Sequence, residues 1–204
     1  MIENEFNTAK YYDDHAEVFY QDTVNADMSK IRERFESLMP KGAEVLDLGC
    51  GSGRDALAFA DKGLCVTMMD PSKEMCERAE KLTGRPCVLA RAQELDALEA
   101  FDGIWACASL IHVPEAETVE TYQKIAKALK PGGILFTTYK YGTGEKIRGE
   151  RFFYDMTEDS LKAIIGQVAE LSVMDTWLTG DVRPGRGEER WLNAIVQRVE
   201  MEHD

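Results

Sequence analysis

Short apolar runs alternate along the chain with longer stretches whose apolar positions recur every three or four residues. The runs near 45–48, 65–69, 87–90, 103–107 and 134–139 read as strands, and the stretches between them as helices with one buried face. Leu57, Phe59 and Ala60 share the first such face, which ends at Gly63, a C′ glycine. Ser72 caps the next, carrying Met75, Ala79 and Leu82. The helix from 115 to 129 has the stripe Val119, Tyr122, Ile125, Ala126 and Leu129. Glu115, Glu117 and Glu120 suit the positive end of its dipole, and Lys127 and Lys130 the other. Thr157 caps a further helix with Leu161, Ile164, Ile165 and Val168. Such alternation predicts a parallel sheet covered on both faces. Runs near 171–178 and 191–199 follow with no helix between them, so they are expected to pair antiparallel. Before the first strand, residues 5–39 read as two helical stretches, with Ala16, Phe19 and Tyr20 on one and Ile31, Phe35 and Leu38 on the other.

Composition narrows the picture. At 204 residues the chain fits one domain with a full core. Its 24 Lys and Arg against 37 Asp and Glu give a net charge of -13, which repels phosphate backbones and anionic membranes. Neither nucleic acid nor membrane is therefore an expected partner; a monomer or homodimer acting on a small molecule is. No apolar run approaches the roughly eighteen residues of a membrane span. The acidic start Met1-Ile2-Glu3-Asn4-Glu5 does not resemble a signal peptide, so a cytoplasmic location is expected. Cys50, Cys65, Cys76, Cys87 and Cys107 form no C-x-x-C pair and read as buried free thiols, with no metal site.

The densest chemical signal is Glu44-Val45-Leu46-Asp47-Leu48-Gly49-Cys50-Gly51-Ser52-Gly53-Arg54-Asp55. A strand breaks at three glycines and leads into a helix, a turn that brings a ligand against bare backbone. The spacing is G-x-G-x-G, and Arg54 stands where a dinucleotide fingerprint has its third glycine. No Lys-Ser/Thr pair follows, which excludes a phosphate-gripping P-loop. Asp70 ends the next apolar run, where a carboxylate can take both hydroxyls of a ribose.

This pattern resembles the class I S-adenosylmethionine-dependent methyltransferases. Asp47 to Gly53 look like the family's first motif and Asp70 like its acidic second. Arg91-Ala92-Gln93-Glu94-Leu95, Phe101 to Ser109, and Leu129-Lys130-Pro131-Gly132-Gly133-Ile134-Leu135 look like the segments that follow, in the same order. The resemblance implies an α/β, Rossmann-like fold: a seven-stranded, mostly parallel sheet with an antiparallel last strand and helices on both faces. Residues 1–40 would form a helical lid over a 41–204 core. It implies S-adenosylmethionine as cofactor and S-adenosylhomocysteine as product. Gly49, Cys50, Gly51 and Gly53 would lie under the methionine and ribose, with Arg54 pairing the cofactor carboxylate and Asp47 ordering the loop. Asp70 and Pro71 would flank the ribose, and Ala92 and Gln93 the adenine. Cys107, Ala108 and Ser109 would border the reactive methyl. The chain departs from the family at Arg91, where an acidic residue is common. The compact frame is similar to the small bacterial, tellurite-resistance type.

The acceptor is less legible. Ala106-Cys107-Ala108-Ser109 is not the Asx-Pro-Pro-aromatic tetrad that grips a base amine, and Cys107 lacks the proline that precedes pyrimidine-attacking cysteines. Lys140, Tyr141, Lys146, Arg148 and Arg151 follow the fifth strand, and Arg183, Arg186 and Trp191 lie in or beside the last loop. Both segments are expected at the cofactor edge. The cations there either bind an anionic substrate or pair with Asp155, Glu158, Asp181, Glu188 and Glu189. Tyr11 and Tyr12 on the lid are further substrate candidates, and His112 is the candidate base. The expected function is methyl transfer to an O, N or S atom of a small molecule. Protein or RNA methylation, or a non-catalytic cofactor-binding module acting through a partner, are the alternatives.

Overall fold

A computed structural model describes residues 7–183, 185–186 and 188–199. Seven strands form the main sheet: β1 (Glu44–Leu48), β2 (Cys65–Asp70), β3 (Cys87–Leu89), β4 (Phe101–Ala106), β5 (Leu129–Lys140), β8 (Leu171–Gly180) and β9 (Arg190–Arg198). Their order is β3-β2-β1-β4-β5-β9-β8. β1 to β5 are parallel, while β9 runs antiparallel to both neighbours, β5 and β8. The order reverses between β1 and β4, which opens a crevice at the strands' carboxyl ends.

The central strands are apolar because both faces are covered. Helices α4 (Arg54–Asp61) and α5 (Lys73–Thr83) follow β1 and β2; α6 (Glu115–Ala128) and α7 (Glu158–Ile165) come later. Ser72 and Thr157 cap α5 and α7 as expected, accepting from Met75 N and Ser160 N. On one face, Trp105 stacks on Phe136 at 3.9 Å between ring centres and meets Phe35 and Phe59 edge-on. On the other, Tyr122 and Ile125 of α6 pack with Leu161 and Ile165 of α7. Among the described residues no helix is long and apolar enough to cross a membrane.

Two regions differ from the sequence expectation. The N-terminal segment holds three helices rather than two: α1 (Thr8–Asp14), α2 (Ala16–Thr23) and α3 (Ser29–Glu36). His15, at φ -118°, breaks the first from the second. The segment after β5, read as a loop, contains a hairpin of β6 (Gly144–Arg148) and β7 (Arg151–Asp155). Its outer strand is mostly exposed and charged, so no apolar alternation marks it, whereas Phe152, Phe153 and Tyr154 on the inner strand are buried. The hairpin and α1 together roof the crevice.

Candidate active site

A cavity of about 1090 Å³ opens at the carboxyl ends of the strands, between the glycine turn, α1, the hairpin and the loop before β9. It joins residues that lie far apart in the sequence, from Asn7 to Asn193.

The glycine turn serves three different purposes. At Gly51 (φ +53°) a Cβ would meet only Phe19 Cε1, at 3.6 Å, so this position leaves its backbone bare toward the cavity. At Gly53 (φ +80°) a Cβ would stand 2.9 Å from Ala79 Cα, so that glycine lets α4 and α5 pack closely and lies outside the cavity wall. This corrects its expected place under the ligand. Gly49 lies against Ser109, whose Cβ would be 2.2 Å from an added one, locking the turn after β1 to that after β4.

Asp70 is buried in the cavity wall and accepts hydrogen bonds from Gly51 N and Ser72 N, both at 2.9 Å. Burial outweighs these bonds and pushes its carboxyl up to about 6. Pro71 and Cys50 line the same wall. Asp47 is buried too, and its Oδ2 has no partner. Burial and the neighbouring Asp55 carboxylate hold Asp47 well above the ordinary carboxylate range.

Arg54 is placed otherwise than expected. Its Nε and Nη2 grip Asp55 at 3.0 and 2.6 Å, and its Nη1 donates to Thr23 O at 3.2 Å. The edge that would take a cofactor carboxylate two-pronged is already occupied. Asp55 also accepts from Arg32 Nη1 at 2.8 Å and Trp105 Nε1 at 3.1 Å, making it the hub of a buried network that sequence reading missed. Another missed residue is Asp13, which accepts from Ser72 Oγ at 2.6 Å and Glu74 N at 3.1 Å, pinning α1 to the start of α5.

Ala92 and Gln93 line the far end, but the Gln93 side-chain amide donates to Glu117 at 2.9 Å and so is already engaged. Cys107, Ala108 and Ser109 line the centre. Ala108 adopts φ +54°, a left-handed backbone rare outside glycine, held by a 2.8 Å bond from its N–H to Thr138 Oγ1. Burial pushes the Cys107 thiol up to about 12. Cys107→Ala is therefore expected to keep turnover within a few-fold of wild type, since a protonated thiol is no nucleophile. Loss of activity with normal cofactor affinity, read by calorimetry, would contradict this.

The cysteines are not all separate in space. Cys76 Sγ lies 2.8 Å from Cys87 Sγ, which lies 3.6 Å from Cys50 Sγ, behind the glycine turn. Hydrogen bonding to the Cys50 thiol and burial hold Cys87 above its ordinary value. Among the described residues, no group of three or more His, Cys, Asp or Glu could hold a metal ion.

Under the roof, His112 donates Nδ1–H to Phe152 O at 2.7 Å, which leaves Nε2 to accept from the Tyr12 hydroxyl at 3.0 Å. Burial lowers His112 to about 4, so the imidazole is neutral near pH 7. Arg151 Nη1 donates to Tyr12 Oη at 3.3 Å. Tyr11, Tyr12, His112 and Arg151 all line the cavity.

The cationic rim is largely neutralised by the protein's own carboxylates. Lys140 pairs with Glu189, Lys146 and Arg148 with Asp155, and Arg183 two-pronged with Asp181, which also accepts from Trp191 Nε1 at 3.1 Å. Lys140, Arg183, Arg186 and Trp191 do line the cavity. Tyr141 does not; it is 39% exposed, with Arg190 over its ring. Thr138, Thr179 and Asn193, none of them marked by the sequence, complete the wall.

Residues 45–133 match a family described as a methyltransferase domain. YqeM of Bacillus subtilis, whose name carries methyl transfer but no substrate, is 28% identical over 72% of this chain and 63% of its own length. The O-methyltransferase resE of Aspergillus sclerotiorum is 35% identical over 46% of this chain and 38% of its own. The chain thus spans less than two thirds of these relatives. The 1,6-didemethyltoxoflavin-N1-methyltransferase of Burkholderia thailandensis, solved with 1,6-didemethyltoxoflavin and S-adenosylhomocysteine, shares the fold. It has a TM-score of 0.74 at 22% identity, covering 94% of this chain and 85% of that one. The methyltransferase domain matched over residues 45–133, together with the motifs and the sheet order, supports a class I S-adenosylmethionine-dependent methyltransferase.

Proposed function

We propose that the protein transfers a methyl group from S-adenosylmethionine to an oxygen, nitrogen or sulfur of a small molecule. The observation that carries this reading is one cavity with two unlike ends. One end has Asp70 and the bare backbone of Gly51; the other has a neutral imidazole under a tyrosine lid. Its volume of about 1090 Å³ exceeds the roughly 300–1,000 Å³ of ordinary ligand sites, leaving room for cofactor and acceptor together.

The residues fit the cofactor. Asp70 would accept the ribose hydroxyls, Gly51 would let the ligand approach, and the unpartnered Asp47 Oδ2 would meet its polar part. When bound, S-adenosylmethionine supplies a methyl already activated on a sulfonium. The protein's task is then to align the acceptor, exclude water and remove a proton. Asp13 and Tyr12 hold α1 across the cavity and exclude water. His112 Nε2 is placed to take the acceptor's proton through the Tyr12 hydroxyl.

Calorimetry tests the cofactor half. Asp70→Ala is expected to weaken S-adenosylmethionine binding by about 1.5–3 kcal/mol, the scale of hydrogen bonds to a charged group. The same carboxyl predicts a pH dependence. Two ribose hydroxyls favour its ionised form, so affinity should fall as pH drops below about 6. Because its folded value is raised from 3.8, Asp70 destabilises the cofactor-free protein as pH rises from about 4 to 6. A folded Asp70→Ala variant that binds like wild type would overturn the cofactor assignment.

A further inference from the structure

Resting on that reading, the geometry points to Arg151 as the receptor for an oxyanion, a carboxylate or phosphate, carried by a compact methyl acceptor. The comparison among the arginines lining the cavity carries it. Arg54 and Arg183 each present the flat edge formed by Nε and Nη2 to a carboxylate, Asp55 and Asp181 respectively. Arg148 pairs with Asp155. Arg151 has no carboxylate partner among the described residues, and its Nε is buried with no hydrogen bond. Its single recorded bond, from Nη1 to Tyr12 Oη, leaves the Nε/Nη2 edge unmatched.

Its surroundings suit a charge awaiting a partner. The guanidinium lies 4.8 Å from the Tyr11 ring centre, 5.7 Å from Tyr12 and 5.2 Å from Phe153. Aromatic rings favour the cation, displace water around it and leave its in-plane N–H groups for a planar or tetrahedral oxyanion. Arg54, Arg91, Lys140, Arg148 and Arg183 are already paired with carboxylates, and Arg186 at the loop before β9 lacks, among the described residues, the aromatic surround that encloses Arg151.

The position also links binding to chemistry. Arg151 reaches the Tyr12 hydroxyl, which in turn reaches His112. The cation's field lowers the proton affinity of His112. An anion on Arg151 would offset that field, so an acceptor bearing the right group would make its own base stronger as it binds.

The test titrates benzoate and phenyl phosphate, against neutral benzamide, into the full chain by calorimetry, with and without saturating S-adenosylhomocysteine. At least one anion is expected to bind ten-fold or more tighter than benzamide. Arg151→Gln should abolish that preference and Arg151→Lys restore part of it, both with unchanged S-adenosylhomocysteine affinity. No anion preference in wild type, or a preference that survives Arg151→Gln, overturns the proposal. S-adenosylhomocysteine binding in the same titrations reports separately on the cofactor reading, which fails if that product does not bind.

Discussion

Replacing Asp55 with alanine is expected to lower unfolding stability by about 3–5 kcal/mol, the usual cost of removing one partner from a buried ion pair. Four donors converge on this carboxylate: Arg32 Nη1, Arg54 Nε and Nη2, and Trp105 Nε1. Burial pushes its carboxyl up, but Arg54 and Arg32 outweigh burial and hold it below its ordinary value. Without it, the Trp105 indole N–H loses its acceptor, and two largely buried guanidinium groups keep, among the described residues, only Thr23 O and a 3.9 Å contact to Glu36. Against a typical total of about 5–15 kcal/mol, such a loss should be plain in the urea midpoint. Arg54, released toward the cavity, should also alter S-adenosylmethionine affinity. Asp55→Asn keeps an acceptor for Trp105 and should cost less than alanine. A loss of under about 1 kcal/mol in unfolding free energy for the alanine variant would show that the network does not hold α3, α4 and β4 together.

The contrast between Asp55 and Asp70 shows what the sequence could and could not reveal. Asp70 ends a strand in the family's order, so its position at the crevice follows from topology. Asp55 reads as an ordinary acid in a helix's first turn; only packing turns it inward against Trp105. The parallel strands were legible because coverage on both faces makes them continuous apolar runs. The β6–β7 hairpin was not, because its outer strand is exposed and charged. The cationic rim was visible as composition, but its pairing with Asp155, Asp181 and Glu189 depends on loop geometry that spacing does not encode. Gly53 reads like Gly51 in the motif, yet one faces Ala79 and the other the cavity.

His112→Gln is expected to lower kcat by about 10²–10⁴-fold, the range for losing a positioned general base, with S-adenosylhomocysteine affinity unchanged. Nδ1–H is fixed on Phe152 O, so the lone pair of Nε2 is presented to Tyr12 and, beyond it, to the acceptor. Tyr12→Phe removes the hydroxyl in that path and should fall in the same range. The double variant should be little worse than either single one, because the two groups act as a unit. The pH profile separates this role from mere lid packing. With its proton affinity lowered to about 4, His112 is a free base across neutral pH. Its contribution to kcat should therefore be flat above about pH 5 and fall below that as the imidazole protonates. Stability carries its own signature: a histidine buried neutral must charge on unfolding, so its stabilising effect is present above pH 6.5 and lost as pH falls toward 4. A His112→Gln enzyme that keeps its kcat but loses this pH dependence of stability would leave the histidine as a strut for the roof, with the acceptor reaching the cavity already ionised.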